Sequence, residues 1–170
     1  WYGTTHVHTI HEAIDRICEG GTVHVLPGEY DGGIVVDKAN VTVESTDGPE
    51  VTIVDDPGDF GFEVTKPGVI IDGFTITGFH VCAAGSSVND ISQSNYIEGY
   101  GIILGGVESA DNCIIRNNII EYNGHGILIF TDYNQIRYNR ILDNTNYDSG
   151  IHLAGNTLGN EIHCNNIKGN

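Results

Sequence analysis

The chain has 170 residues, 23 acidic against 7 basic, and a formal net charge of -16. That balance argues against a nucleic-acid partner, whose phosphates are held by clustered Lys and Arg, and against docking on an anionic membrane surface. With 39% hydrophobic residues and no apolar run near the ~20 residues of a membrane span, one domain with a packed core is expected, without membrane insertion.

Met is absent and the first residue is Trp1, so a processed chain or a fragment is expected, its secretory signal removed and its location extracellular or in the cell envelope. Residues 1–21 read as an N-terminal strand and a capping helix. Thr9-Ile-His-Glu12 has the form of a capping box. Ile10, Ala13, Ile14 and Ile17 follow at helical spacing and form one apolar stripe. The pattern predicts a helix over 10–18, closed by Gly20-Gly21.

From Thr22 the period changes to alternation, and 22–78 reads as short strands separated by Gly, Pro and Asp turns. Residues 79–100, rich in Ser, Asn and Gly, read as an inserted loop, either a plain surface excursion or one wall of a binding site. Residues 101–170 carry a repeat. Ile-x-x-Asn-x-Ile-x-x-Asn occurs at Ile115–Asn123, Ile136–Asn144 and Ile162–Asn170, and Gly-Ile-x-(Leu/Ile) recurs at Gly101, Gly126 and Gly150. A looser copy at Val69–Gly78 has Phe74 in an Asn position. Of the 16 Asn, 13 follow residue 110, so Asn-type bends are expected to dominate the second half. A period of ~20–25 residues built from very short strands suits one rung of a solenoid. The Asn is expected to sit at the bend in the left-handed region, its amide bonding the rungs on either side. About five rungs are expected at ~23 residues each. The helix covers the first rung, and no equivalent cap is read at the other end.

Three sequence blocks carry a family resemblance. Thr9–Asp15, Gly21–Tyr30 and Val41–Ser45 resemble the amino-terminal end of right-handed parallel β-helix proteins of the pectate-lyase-like superfamily. The Asn/Ile/Gly repeats resemble that superfamily's repeats. The fold class implied is all-β, a single-stranded right-handed parallel β-helix over 1–170. The fold hosts lyases, hydrolases, epimerases and non-enzymatic surface modules.

Several residue sets are candidates for chemistry. Gly124-His125-Gly126 resembles the Gly-His-Gly of polygalacturonases, which would make His125 catalytic beside converging aspartates. Arg116, Arg137 and His163 each follow the first Ile of a repeat, so solenoid geometry should stack them in one outward column. There they either grip the carboxylates of an acidic glycan or pair with neighbours such as Glu121 and Glu161. In pectate lyases an Arg also removes the sugar proton, a role the resemblance offers to Arg116 or Arg137. Asp55, Asp56 and Asp59 form the densest acidic cluster, either an acidic turn or a Ca²⁺ site. It resembles the Asp-Pro-His-Asp of alginate epimerases, with Gly58 where the His would be. His6, His8 and His11 have metal-binding side chains, and periplasmic copper-associated accessory proteins share these repeats. Tyr96 and Tyr100 near the insertion, with Tyr122, Tyr133, Tyr138 and Tyr147, are candidate sugar platforms. Cys18, Cys82, Cys113 and Cys164 form no CxxC and are compatible with two disulfides, buried thiols or intermolecular bridges.

The expected function is a non-catalytic extracellular or envelope β-helix module that binds a polysaccharide and needs no cofactor, with Ca²⁺ as an option. The alternatives are a structural subunit stacking end to end with copies of itself, and a Ca²⁺-dependent polysaccharide lyase or glycoside hydrolase.

Overall fold

The computed structural model describes residues 6–55, 58–79, 81–82, 96–97, 99–105, 110–144 and 149–170. Short β-strands wind through successive coils, each coil placing one strand in each of three parallel sheets. The first coil holds β1 (Thr22–Val25), β2 (Gly28–Asp31) and β3 (Ile34–Val36). The second holds β4 (Thr42–Ser45), β5 (Thr52–Asp55) and β6 (Phe60–Val64). The third holds β7 (Ile70–Asp72) and β8 (Thr75–Thr77), then the antiparallel pair β9 (Val81–Cys82) and β10 (Tyr96–Ile97), then β11 (Tyr100–Leu104). The fourth comprises β12 (Ile114–Arg116), β13 (Ile119–Glu121) and β14 (His125–Ile129). The fifth comprises β15 (Gln135–Arg137), β16 (Arg140–Leu142) and β17 (Ile151–Leu153). Strands β18 (Glu161–His163) and β19 (Asn166–Lys168) begin a sixth. The first sheet runs β1-β4-β7-β12-β15-β18, the second β2-β5-β8-β13-β16-β19 and the third β3-β6-β11-β14-β17. Five coils are thus complete, as the repeat spacing predicts, and two of the three sheets gain a further strand.

Register turns the repeat into packing. Val23, Val43, Ile71, Ile115 and Ile136 are successive partners in the first sheet, and Val54, Ile76, Ile120 and Ile141 in the second. All are buried. No single coil can cover its own apolar face, so each Ile or Val is buried by the rungs above and below it. The helix α1 (Ile10–Arg16) lies over the first coil with Ile10 and Ile14 buried, and Thr9 accepts the Glu12 N–H as the capping box predicts. The helix stops two residues earlier than its apolar spacing suggests. Ile17 is already extended (ψ 148°) and is itself the C-cap; Gly20 lies beyond it in the left-handed region, where its N–H bonds Ala39 O.

The Asn repeats build three side-chain ladders, along Asn118-Asn139-Asn165, Asn123-Asn144-Asn170 and Asn134-Asn160. Asn118 Oδ1 accepts the Phe74 N–H at 2.9 Å, and Asn139 Oδ1 accepts the Asn118 N–H at 3.0 Å. Apart from Asn134, whose Nδ2 donates to Thr131 Oγ1 and Asn160 Oδ1, each Nδ2 also donates to a backbone carbonyl of the preceding coil, Asn139 to Ile115 O at 3.0 Å for example. These amides satisfy backbone groups that the bends would otherwise bury without partners. The ladders end on Phe74, Phe79 and Cys113, which keep the N–H and replace the amide with apolar bulk.

One expectation is corrected. The ladder Asn residues do not adopt the left-handed conformation; the residue before each does, namely Asn117, Tyr122, Tyr133, Tyr138, Asp143, Gly159, Cys164 and Gly169. The amide must point inward to reach the next rung, so its outward-facing neighbour makes the bend.

A glycine column lines one corner. A Cβ on Gly101 would come within 2.7 Å of Gly126 O, and one on Gly126 within 2.2 Å of Gly150 O. Only glycine lets the backbones of adjacent coils approach this closely.

Candidate functional site

The outward face of the first sheet carries one continuous row of polar side chains. Register aligns His24 with Glu44, Glu44 with Asp72, Asp72 with Arg116, Arg116 with Arg137, and Arg137 with His163. Their immediate neighbours along each strand point inward into the core, and the residues two positions earlier share the outward face as a second column, Thr22, Thr42, Ile70, Ile114, Gln135 and Glu161. Arg116, Arg137 and His163 therefore stack as the repeat spacing predicts.

Two pairs engage four of the six members of the row. His24 Nδ1 lies 3.0 Å from Glu44 Oε1. Arg116 Nε donates to Asp72 Oδ2 at 2.8 Å, and Asn117 Nδ2 donates to Asp72 Oδ1 at 2.9 Å. Arg116 therefore pairs with Asp72, and neither Glu121 nor Glu161 takes it. Arg137 has no ion-pair partner among the described residues, and its Nε is buried without an acceptor. Asp72 was legible in principle. Val69-Ile-Ile-Asp72 aligns with Cys113-Ile-Ile-Arg116, so acid and base occupy the same slot one rung apart.

Two tyrosines border β15. Tyr133 precedes the strand and Tyr138 follows it; both are 57% exposed and both lie in the left-handed region. The Tyr133 ring lies over Gly159, whose Cβ would meet Cδ1 at 2.4 Å. The Tyr138 ring meets His163 edge-on, with centroids 6.2 Å apart. A bulky residue at positive φ costs roughly 1–2 kcal/mol. The cost is incurred at both corners that flank Arg137.

The other candidates lie elsewhere. His125 is on the third sheet, buried, stacked on Tyr100 with centroids 5.2 Å apart, with Nδ1 2.9 Å from Ser149 Oγ. His152 lies beside it, with ring centroids 6.2 Å apart. Ser149 and His152 carry no repeat signal that would have marked them. Tyr96 and Asp56 fall among side chains outside the described residues. Asp55 ends β5 opposite Asp31, and Asp59 lies in the turn before β6.

His6 and His8 line a hollow of about 710 Å³ beside the helix, together with Cys18 and His24. His11 is separate, its Nε2 3.2 Å from Gly33 O. Cys18, Cys113 and Cys164 are free thiols, the first and last exposed, which removes both the two-disulfide and the all-buried alternatives. Burial pushes the Cys113 thiol up to about 11, and its Sγ donates to Ala110 O at 3.0 Å. The role of Cys113 is to fill core. The last coil leaves Leu153, Ile162 and Ile167 partly exposed.

A model of the family described as periplasmic copper-binding protein (NosD) matches residues 67–170. No curated protein sequence matches significantly. Among solved structures, a pectin methylesterase mutant in complex with a hexasaccharide superposes with a TM-score of 0.56 at 12% identity, over 88% of this chain and 54% of that one. A pectin methylesterase bound to another hexasaccharide gives 0.52 at 10% identity, over 83% and 54%. The chain thus spans about half the length of each. At such identity the likeness establishes the parallel β-helix fold and nothing more.

Copper is in the family's description, and the side chains can be tested against it. Among the described residues, no three His, Cys, Asp or Glu side chains converge. His125 has one imidazole neighbour, His152, while His24 lies on Glu44 and His163 lies 3.5 Å from Cys164 Sγ. The described residues do not fit a copper centre. Among the described residues no helix is long and apolar enough to cross a membrane.

Proposed function

Because the chain belongs to the right-handed β-helix family of periplasmic copper-binding proteins (NosD), we propose that it is a non-catalytic module of the cell envelope that binds glycan on the outward face of its first sheet. One observation carries the reading: the Arg116-Arg137-His163 stack is bordered by the exposed Tyr133 and Tyr138. Tyrosine offers a flat apolar face to a sugar ring and a hydroxyl to its substituents. Arginine offers a planar fork of donors. A solenoid adds length, since each coil repeats the same slots and an extended polymer can be met at several of them.

The module reading is favoured over an enzyme because the two acids of the row, Glu44 and Asp72, are both engaged by basic partners. A general acid or base must reach the reacting atoms in the right protonation state. The reading needs no bound metal. Support from the fold is indirect: the pectin methylesterase structures that share it were solved with hexasaccharides.

A polysaccharide panel tests the proposal. Retention of the purified chain in native gels containing acidic or neutral polysaccharides should appear for at least one glycan and be weakened by Tyr138→Ala. Absence of retention by every glycan would overturn it.

A further inference from the structure

We infer that Arg137 is a carboxylate-binding residue and that the glycan it selects is a polyuronate lying along the solenoid axis. This rests on the glycan-binding reading and adds the ligand's chemistry.

The order of charges along the row decides which cation is available. His24 answers Glu44, and Arg116 answers Asp72 through its Nε. Arg137 is the first cation beyond these pairs. It sits directly above Arg116 and directly below His163. Its Nε–H is out of water and without an acceptor, an unfavourable state until an acceptor arrives. A carboxylate is the acceptor that a guanidinium takes best, through two parallel N–H bonds. Reaching Nε requires the side chain to swing outward, and that movement ends the unpaired burial.

Spacing supplies the polymer. Neighbouring strands lie ~4.8 Å apart, close to the length of one pyranose ring. A uronate polymer running along the axis therefore passes about one sugar per coil, and because successive sugars are rotated about the polymer axis, one carboxylate of the bound segment is turned to Arg137. Tyr133 and Tyr138 stand on either side of Arg137, placed to stack on the rings. Toward the amino-terminal coils the row has no cation left over from its two pairs, so the bound segment centres on the coils of β15 and β18.

The whole-molecule charge sharpens the test. At -16, the long-range field opposes a polyanion. A preference for a charged glycan over its neutral form must therefore come from local contact.

The experiment is calorimetric titration of the chain with an oligogalacturonate and with its fully methyl-esterified counterpart of equal length. The wild type should bind the acid form about tenfold or more tightly than the ester, the value of a charged hydrogen-bonded pair. Arg137→Gln should abolish that preference by weakening the acid form more than the ester, a selectivity change that mere loss of structure would not give. Arg137→Lys, which keeps charge without the fork, should retain only part of it. Equal wild-type affinity for the two forms would overturn the carboxylate assignment and leave the glycan reading standing. So would binding of neither form while another glycan in the panel is retained. Acid preference surviving in either Arg137 variant at full strength would move the carboxylate to another residue. No binding to any glycan would bring down both inferences.

Discussion

Replacing Asn139 with alanine removes the middle of a ladder, and the structure shows what is lost. Asn139 Oδ1 accepts the Asn118 N–H at 3.0 Å and Asn118 Nδ2 at 3.2 Å. Its Nδ2 donates to Ile115 O and to Asn165 Oδ1, both at 3.0 Å. The residue is 1% exposed, so water cannot replace these bonds without opening the coil. Asn118 Nδ2 keeps Ile71 O, and Asn165 Oδ1 keeps the Asn139 N–H. The Asn118 backbone N–H has no such reserve, and the Ile115 carbonyl loses a donor. Each buried group left unpaired costs about 1–3 kcal/mol, and the cavity adds to it, so Asn139→Ala should cost about 3–5 kcal/mol. Asn139→Asp should be no better, because it keeps the acceptor but sets a buried carboxylate oxygen against Ile115 O. Asn166→Ala, at an exposed position of β19, should stay within about 0.5 kcal/mol. Urea unfolding followed by far-ultraviolet circular dichroism measures all three. If Asn139→Ala were as mild as Asn166→Ala, the ladders would not be what holds the bends.

Three further outcomes follow from packing. Gly126→Ala should destabilise by more than about 3 kcal/mol, since its methyl group would meet the Gly150 carbonyl, a backbone atom that cannot rotate away; thermal melting of the variant reads this directly. Cys113 should resist a thiol reagent in the folded chain while Cys18 and Cys164 react. Because burial raises the Cys113 thiol to about 11, the folded state holds its proton more tightly than the unfolded chain does. Its contribution is full below an unfolded pKa of ~8.5 and is lost as pH rises through about 11, by about 3 kcal/mol in all. Urea midpoints compared across that window should fall more for the wild type than for Cys113→Ala.

The fold was largely legible because a solenoid writes its geometry as a period. The Ile of each repeat marks an inward column and the Asn marks a bend, so the stacking of Arg116, Arg137 and His163 follows from their common slot. What the repeat hides is which neighbour of the Asn makes the turn. Asn is the residue expected at positive φ, yet here the inward amide is needed for the ladder and the residue before it, tyrosine at positions 122, 133 and 138, takes the left-handed position. The helix end is hidden for a related reason: Ile17 continues the apolar stripe in space after the backbone has become extended. The Tyr100-His125-Ser149 contacts were not legible, because they join different coils at positions outside the Ile and Asn slots.

The most direct test of the binding face is a ¹⁵N-labelled NMR titration of the whole chain with oligogalacturonate, mapping which backbone amides shift. Glycan binding on the first sheet predicts a footprint centred on Arg137, extending to Arg116 and His163 and to the corners at Tyr133 and Tyr138. A footprint on the third sheet around His125, or in the hollow lined by His6 and His8, would contradict it.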